Sequence, residues 1–289
     1  MRCLFCKQDS SNSKSVEHII PESLENTTLV LPKGVVCDKC NNYFARKVEQ
    51  PFLESIDIRA LRFREAIPNK RGIIPPLDGI LNGDIPIKVH NPFPGILLFA
   101  KERDAIIAID SEHTDITKIP HLGKIITPAF VDEMIPQNTT IISRFVAKIA
   151  LESMALRLSE HEGGLDYLID ESAYDPIRGY VRFGNAENWA CNIRRLYDMD
   201  KLWRDNIGNQ YQNVHESDFL LIPVDNSIDI LNDNPVLAYL FFIFAVFGLE
   251  FVINMAAPDV DGLEPYKKWV HKHRNVSPLY YGKNESSCK

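Results

Sequence analysis

Four cysteines of the chain stand in two CxxC pairs, Cys3-Leu4-Phe5-Cys6 and Cys37-Asp38-Lys39-Cys40. A two-residue spacer lets both sulfurs of a pair face one ion, and two pairs supply the four thiolates of a tetrahedral zinc site. Four thiolates close the coordination shell, so the zinc expected here is structural and leaves no position for a substrate. A disulfide reading is disfavoured by the reducing compartment expected below. Cys191 and Cys288 have no CxxC partner and read as buried or incidental thiols. Catalysis needs other groups. The nearest are Val16-Glu17-His18-Ile19-Ile20-Pro21, between the two pairs, and Asn41-Asn42-Tyr43-Phe44, directly after the second.

The order CxxC, EHIIP, CxxCN and then a helix resembles the zinc-bracketed HNH endonucleases, whose core is a ββα-metal finger. The resemblance covers roughly the first 50 residues. It implies hydrolysis of phosphodiester bonds in DNA, with RNA as the alternative substrate. Such hydrolysis requires a water to be deprotonated, the developing phosphorane charge to be neutralised and the leaving oxygen to be stabilised. His18, when neutral, is suited to take the water proton. Glu17 and Asn41 offer hard oxygen ligands, which suit Mg²⁺ or Mn²⁺ over a second zinc. The resemblance assigns the catalytic metal to the positions of Glu17 and Asn41, just before the histidine and just after the last zinc cysteine. Many HNH proteins carry Asp where Glu17 stands. The middle asparagine of the family, which braces the loop between the two strands, has Asn26 as its candidate, and Asn42 could share the role of Asn41.

These groups must be held by local structure. Adjacent strand residues point to opposite faces, so Glu17 and His18 are expected where the strand bends into the following loop, with Pro21 at its exit. Asn41 is expected to cap a helix running from Asn41 to Ala66. Its stripe is Phe44, Val48, Phe52, Ile56, Ala60 and Phe63, and Pro51 should kink or interrupt it.

The net charge of −7 first argues against a nucleic-acid partner. It is unevenly spread: residues 1–75 hold 12 Lys and Arg against 9 Asp and Glu, or +3, which leaves 20 against 30, or −10, for the rest. In the basic part, Lys39, Arg46, Lys47, Arg59, Arg62 and Arg64, with Lys70 and Arg71, form a candidate phosphate track; each alone could be an ordinary solvated cation. The expected organisation is α+β: a zinc-stabilised ββα-metal finger in residues 1–72, a Pro- and Gly-rich boundary, and a larger α+β domain in residues 80–289 that positions substrate, dimerises or regulates.

In that larger part, GILLFAK and AIIAID read as a hairpin, and YVRFG and DFLLIPV as strands. Thr139 to Ser159 reads as a helix with Ile142, Phe145, Val146, Ile149 and Met154 inward and Arg144, Lys148 and Glu152 on the wet face. The apolar run from Val236 to Ile253 is long enough for a short membrane helix. Gly248, Glu250 and its β-branched and aromatic content favour two buried strands about a Gly-Leu turn. The succession of a Lys-bearing helix, an Arg-containing strand and a Trp/Ser-Pro segment resembles a companion domain found after HNH modules. Arg178, Arg182, Lys267, Lys268, His271, Lys272, His273 and Arg274 could assist DNA binding or form surface ion pairs.

The first residues lack the apolar core of a secretory signal, so the expected setting is cytoplasmic, without a membrane. A homodimer and a regulatory ligand stay open. Bacterial restriction or antiviral defence is the biological role that family analogy suggests. The rival reading is a zinc-stabilised nucleic-acid-binding protein without cleavage activity.

Overall fold

In a computed structural model, residues 17–19 and 29–31 pair antiparallel. Ile19 N–H donates to Leu29 O at 3.0 Å and Leu31 N–H to Glu17 O at 2.9 Å, with His18 opposite Val30. Helix α1 (Asp38–Phe44) follows, so the first 44 residues hold two short extended segments and a helix. The structure describes residues 1–81, 85–93, 96–101, 104–110, 125–126, 135–137, 139–184, 188–197, 214–224 and 238–281.

The N-cap of α1 is Cys37, whose sulfur accepts from Cys40 N–H. Asn41 therefore lies inside the helix and does not cap it: the knuckle cysteine already satisfies a first-turn donor. A π-helical turn (Ala45–Glu49) and α2 (Gln50–Glu54) continue the helical path past Pro51. The break comes at Ser55, the N-cap of α3 (Ile56–Arg64). Phe44, Val48, Phe52, Ala60 and Phe63 of the expected stripe are buried, but Ile56 is 72% exposed, because the break at Ser55 resets the helical register.

The chain forms two units that interleave along the sequence, residues 1–20, 27–52 and 135–289 in one and residues 21–26 and 53–134 in the other. The second unit carries α3 and an antiparallel sheet of β1 (Leu77–Leu81), β2 (Ile85–Phe93), β3 (Ile96–Lys101), β4 (Asp104–Asp110) and β5 (Ile125–Ile126) in the order β4-β3-β2-β1-β5. β3 and β4 are the expected hairpin, paired from Ile96 with Asp110 to Lys101 with Asp104. Arg59 on α3 donates from Nε to Pro76 O at 3.0 Å and from Nη1 to Asp78 at 3.0 Å, tying the helix to β1.

In the first unit, α4 (Thr140–Ser159) starts at Thr139, whose hydroxyl accepts from Ile142 N–H. After α4 come α5 (Gly164–Asp170) and α6 (Asp175–Phe183). The second sheet holds β6 (Cys191–Arg195), β7 (His215–Pro223), β8 (Ala238–Val246) and β9 (Leu249–Asn254) in the order β6-β9-β8-β7, all antiparallel, and α7 (Glu264–Lys272) ends the described elements. The fold is α+β, as expected.

YVRFG is not a strand; it is the C-terminal half of α6. Ile177, Tyr180 and Val181 are buried at helical spacing, Pro176 sits in the first turn and Gly184 closes the helix at φ 60°. These signals outweigh a five-residue alternation. The apolar run is indeed two strands, β8 and β9, and its turn is Phe247-Gly248, both at positive φ as a two-residue hairpin requires. Phe241, Ile243 and Ala245 pack with Tyr266 and Val270 of α7, whereas Phe244 meets Phe145 of α4. Both faces of the hairpin are covered, so its sequence reads as a continuous apolar block instead of an alternation. No helix among the described residues is long and apolar enough to cross a membrane.

Candidate functional site

The four knuckle cysteines converge: their sulfurs all lie within 4.8 Å of one another, with Cys6 Sγ and Cys37 Sγ 3.7 Å apart. A tetrahedron of sulfurs about 2.3 Å from a zinc ion has edges of about 3.8 Å, so the cluster fits that ion. Backbone amides support it, Cys37 N–H donating to Cys3 Sγ at 3.3 Å and Cys40 N–H to Cys37 Sγ at 3.4 Å. The hydrogen bond from Cys40 pulls the Cys3 thiol down to about 4, while the same contact pushes Cys40 up and burial raises Cys6. One thiolate in a nest of thiols is the pattern expected without a cation, and a bound zinc deprotonates its thiols outright. Cys191 is a buried thiol, pushed up to about 12 by burial. Cys288 lies outside the described residues.

The finger is docked on the C-terminal helices of its own unit. Arg2 binds Asp170 at 2.6 Å and Asp166 at 2.9 Å, and Lys7 binds Asp175 at 2.7 Å. Arg144 of α4 donates to the Tyr43 hydroxyl at 2.7 Å, and Phe52 stacks on Phe145 with ring centroids 3.8 Å apart.

Glu17 and His18 lie in the extended pair directly before the bend at Ile19 and Ile20, which leads to Pro21. The extended pairing of residues 17–19 sends their side chains to opposite faces, so Glu17 is buried and His18 half-buried. Glu17 Oε1 accepts from Lys148 Nζ at 2.6 Å. The same ammonium lies 2.9 Å from Glu49 and 2.7 Å from Glu152. Lys148 and Glu152, expected on the wet face of α4, are fully buried. Four-residue spacing of opposite charges marks a solvated face only when no third partner arrives; here Glu17 and Glu49 do. Burial pushes the Glu17 carboxyl up and the Glu152 carboxyl well above the usual carboxylate range. Burial would lower Lys148, but Glu152, Glu17 and Glu49 together raise it well above the ordinary lysine value.

Asn41 of α1 donates from Nδ2 to Val16 O at 3.2 Å, one residue before Glu17. That bond leaves Asn41 Oδ1 as an acceptor, and the Lys148 bond leaves Glu17 Oε2. Two hard oxygens beside a histidine suit Mg²⁺ or Mn²⁺. Asn26 is buried, just after the short helical turn Glu22–Leu24 of the second unit. Asn42 is exposed.

The basic residues divide. Lys39, Arg46 and Lys47 are exposed on the helical path that starts at α1. The guanidinium of Arg59 is engaged by Pro76 O and Asp78, and Arg64 is half-buried. Arg62 is 4% exposed and burial lowers it to about 10, so it presents no surface cation. Arg178 is buried too; it binds Asp175 and donates to Leu168 O at 2.6 Å, which fixes α6 against α5. Lys267 pairs with Glu264 at 2.7 Å, and His273 stacks on Trp269. Lys268, His271, Lys272 and Arg274 are exposed. A cleft of about 650 Å³ opens beside the cysteine cluster, with Lys39, Tyr43, Arg182 and Phe183 in its wall. Lys39 and Tyr43 are four apart on α1, on the helix face away from Asn41.

A segment with this knuckle, this Glu-His pair and an Asn in the following helix has a known counterpart. Residues 3–57 match the HNH endonuclease family. The match supports a nuclease of the HNH kind, which implies a nucleic-acid substrate. No curated protein and no solved structure matches the chain. Within the HNH segment the sequence pointed to His18, Glu17, Asn41 and the cysteines but missed Glu49, and outside it Lys148 and Glu152. The signal for the last two was their setting: Ala147, Ile149, Ala150 and Leu151 flank Lys148, so the helix is apolar on every side there.

Proposed function

We propose that the chain is a metal-dependent HNH endonuclease that hydrolyses phosphodiester bonds in DNA, with residues 1–72 as the nuclease part. The observation that carries this reading is the hydrogen bond from Asn41 to Val16 O, which brings the helix asparagine beside Glu17-His18 within a segment matching HNH endonucleases. His18, half-buried next to Glu17 in the chain, takes the proton of the attacking water. Asn41 and Glu17 would hold a Mg²⁺ or Mn²⁺ ion through their side-chain oxygens. When bound, the ion neutralises charge on the phosphorane and the leaving 3′-oxygen. Asn26, buried just after the short helical turn Glu22–Leu24, takes the place of the family's middle asparagine. The four cysteines hold a structural zinc that keeps α1, and with it Asn41, fixed to the knuckle. Lys39, Arg46 and Lys47 grip the phosphate backbone, which gives affinity without sequence reading. A bacterial role in restriction or antiviral defence, in the cytoplasm, accords with this chemistry.

One observation favours a second reading. Glu17 is buried and paired with Lys148, which suits a zinc-stabilised binding module that does not cleave. Cleavage of supercoiled plasmid with Mg²⁺, Mn²⁺ or EDTA, by the wild type and by His18→Ala, separates the two. Metal-dependent nicking that His18→Ala abolishes, with zinc retained in both proteins, supports the nuclease. Metal-independent binding with no nicking supports the module. Structured RNA run in parallel tests the substrate.

A further inference from the structure

We infer that Lys148 is a positioning residue of the nuclease centre: it anchors one oxygen of Glu17 so that the other faces the metal, while Glu49 and Glu152 anchor Lys148 in turn. The inference rests on the nuclease reading above and deepens it, since it gives the residues after the HNH segment a part in the centre.

An ammonium has three donors, and Lys148 Nζ has three carboxylates, Glu17 at 2.6 Å, Glu152 at 2.7 Å and Glu49 at 2.9 Å. Its side chain is wholly buried, as is that of Glu152, and that of Glu17 is 5% exposed. Two of the donors hydrogen-bond to Glu17 and Glu152, and Glu49 adds an ion pair at 2.9 Å, so the ammonium is held from three sides. The three carboxylates come from three places: the first finger strand, the π-helical turn after α1, and α4 itself. Stability alone does not account for such a cluster, because apolar side chains would fill the same space at least as well as buried ions do. What buried ions add is a fixed direction. A carboxylate free at both oxygens turns about its last bond; with Oε1 held by Lys148, Oε2 is fixed as well. The π-helical turn ending at Glu49 agrees with this, since such turns recur where a side chain must be aimed.

The test uses the full-length protein. Lys148→Met alone leaves Glu17 and Glu152 buried without a cation. The double variant Lys148→Met/Glu152→Met removes the ammonium together with one of its carboxyl partners. Zinc content and thermal unfolding report its fold. Mn²⁺ binding is measured by electron paramagnetic resonance without DNA, and kcat and KM on plasmid. The expected result is zinc retained, Mn²⁺ bound at least tenfold more weakly, kcat lower by about 100-fold, the scale of an ångström's misplacement, and KM for DNA within twofold. Mn²⁺ affinity and kcat both within twofold of wild type would overturn the inference, as would a loss of kcat with Mn²⁺ binding intact.

If the double variant does not fold, Glu49→Gln takes its place. It keeps the Lys148–Glu17 pair but loosens the hold on the ammonium, and a severalfold weaker Mn²⁺ affinity is expected; an unchanged affinity would overturn the inference. Wild type and His18→Ala run alongside. A wild type that neither cleaves nor binds Mn²⁺ overturns the nuclease reading, and this inference with it. An active wild type silenced by His18→Ala, beside an unaffected Lys148 variant, overturns the positioning role alone.

Discussion

Lys148 Nζ lies 2.6 Å from Glu17 Oε1, although 131 residues separate them in sequence. The HNH segment thus contains a buried carboxylate whose counter-ion it does not encode. The fragment 1–75 also loses Phe145, on which Phe52 stacks, and Arg144, which donates to Tyr43. We expect the isolated fragment to show less than a tenth of the full-length plasmid-nicking rate and a lower melting temperature. Full activity from the fragment would show that the finger needs nothing beyond itself.

Zinc should be a condition of folding. Structural zinc in small domains contributes on the order of 10 kcal/mol, and the knuckle sets both the start of α1 and the place of Asn41. Cys37→Ser is expected to lose zinc, measured by elemental analysis, and to melt well below the wild type. A strong chelator should have the same effect on the wild type, and lowering the pH should loosen the ion, since the ligands bind as thiolates.

His18→Ala should leave zinc content and melting temperature close to wild type and reduce nicking by roughly 10²- to 10⁴-fold, the usual contribution of a general base. Asn41→Ala should mainly raise the Mg²⁺ concentration needed for half-maximal rate. A Mg²⁺ titration of both variants separates the base from the ligand.

Glu250 stands in the middle of the apolar hairpin and is fully buried. It accepts from Arg194, Tyr266 and Ser277, so three elements meet on one carboxylate. Glu250→Ala leaves the Arg194 charge uncompensated and should cost about 3–5 kcal/mol, as breaking a buried pair does. Denaturant unfolding would measure it. Gly248→Ala should also destabilise: φ is 72° there, and an added Cβ would come 2.7 Å from Tyr197 O.

Much of the finger was legible because its signals are local. CxxC spacing fixes two sulfurs within one turn, and the residue after Cys40 has few places to go. The apolar hairpin was legible too, from Gly248, Glu250 and composition, although its turn is one residue earlier than Gly-Leu. What was not legible depended on partners far away in sequence. Lys148 and Glu152 have the spacing of a solvated ion pair, and only the arrival of Glu17 and Glu49 makes them interior. Arg62 and Arg178 look like surface cations until the packing of α3 and of α5 with α6 encloses them. YVRFG alternates like a strand, and the proline and glycine at the two ends of its helix decide otherwise.

The distance in sequence between Glu17 and Lys148 is also an interval in time. A ribosome adds roughly 5–20 residues per second, so about 7 to 26 seconds pass between the synthesis of the finger strand and that of the lysine it needs. Through that interval the nascent finger carries a carboxylate with no cation to bury it against. The buried ion cluster around Glu17 is therefore complete only once helix α4 has been made.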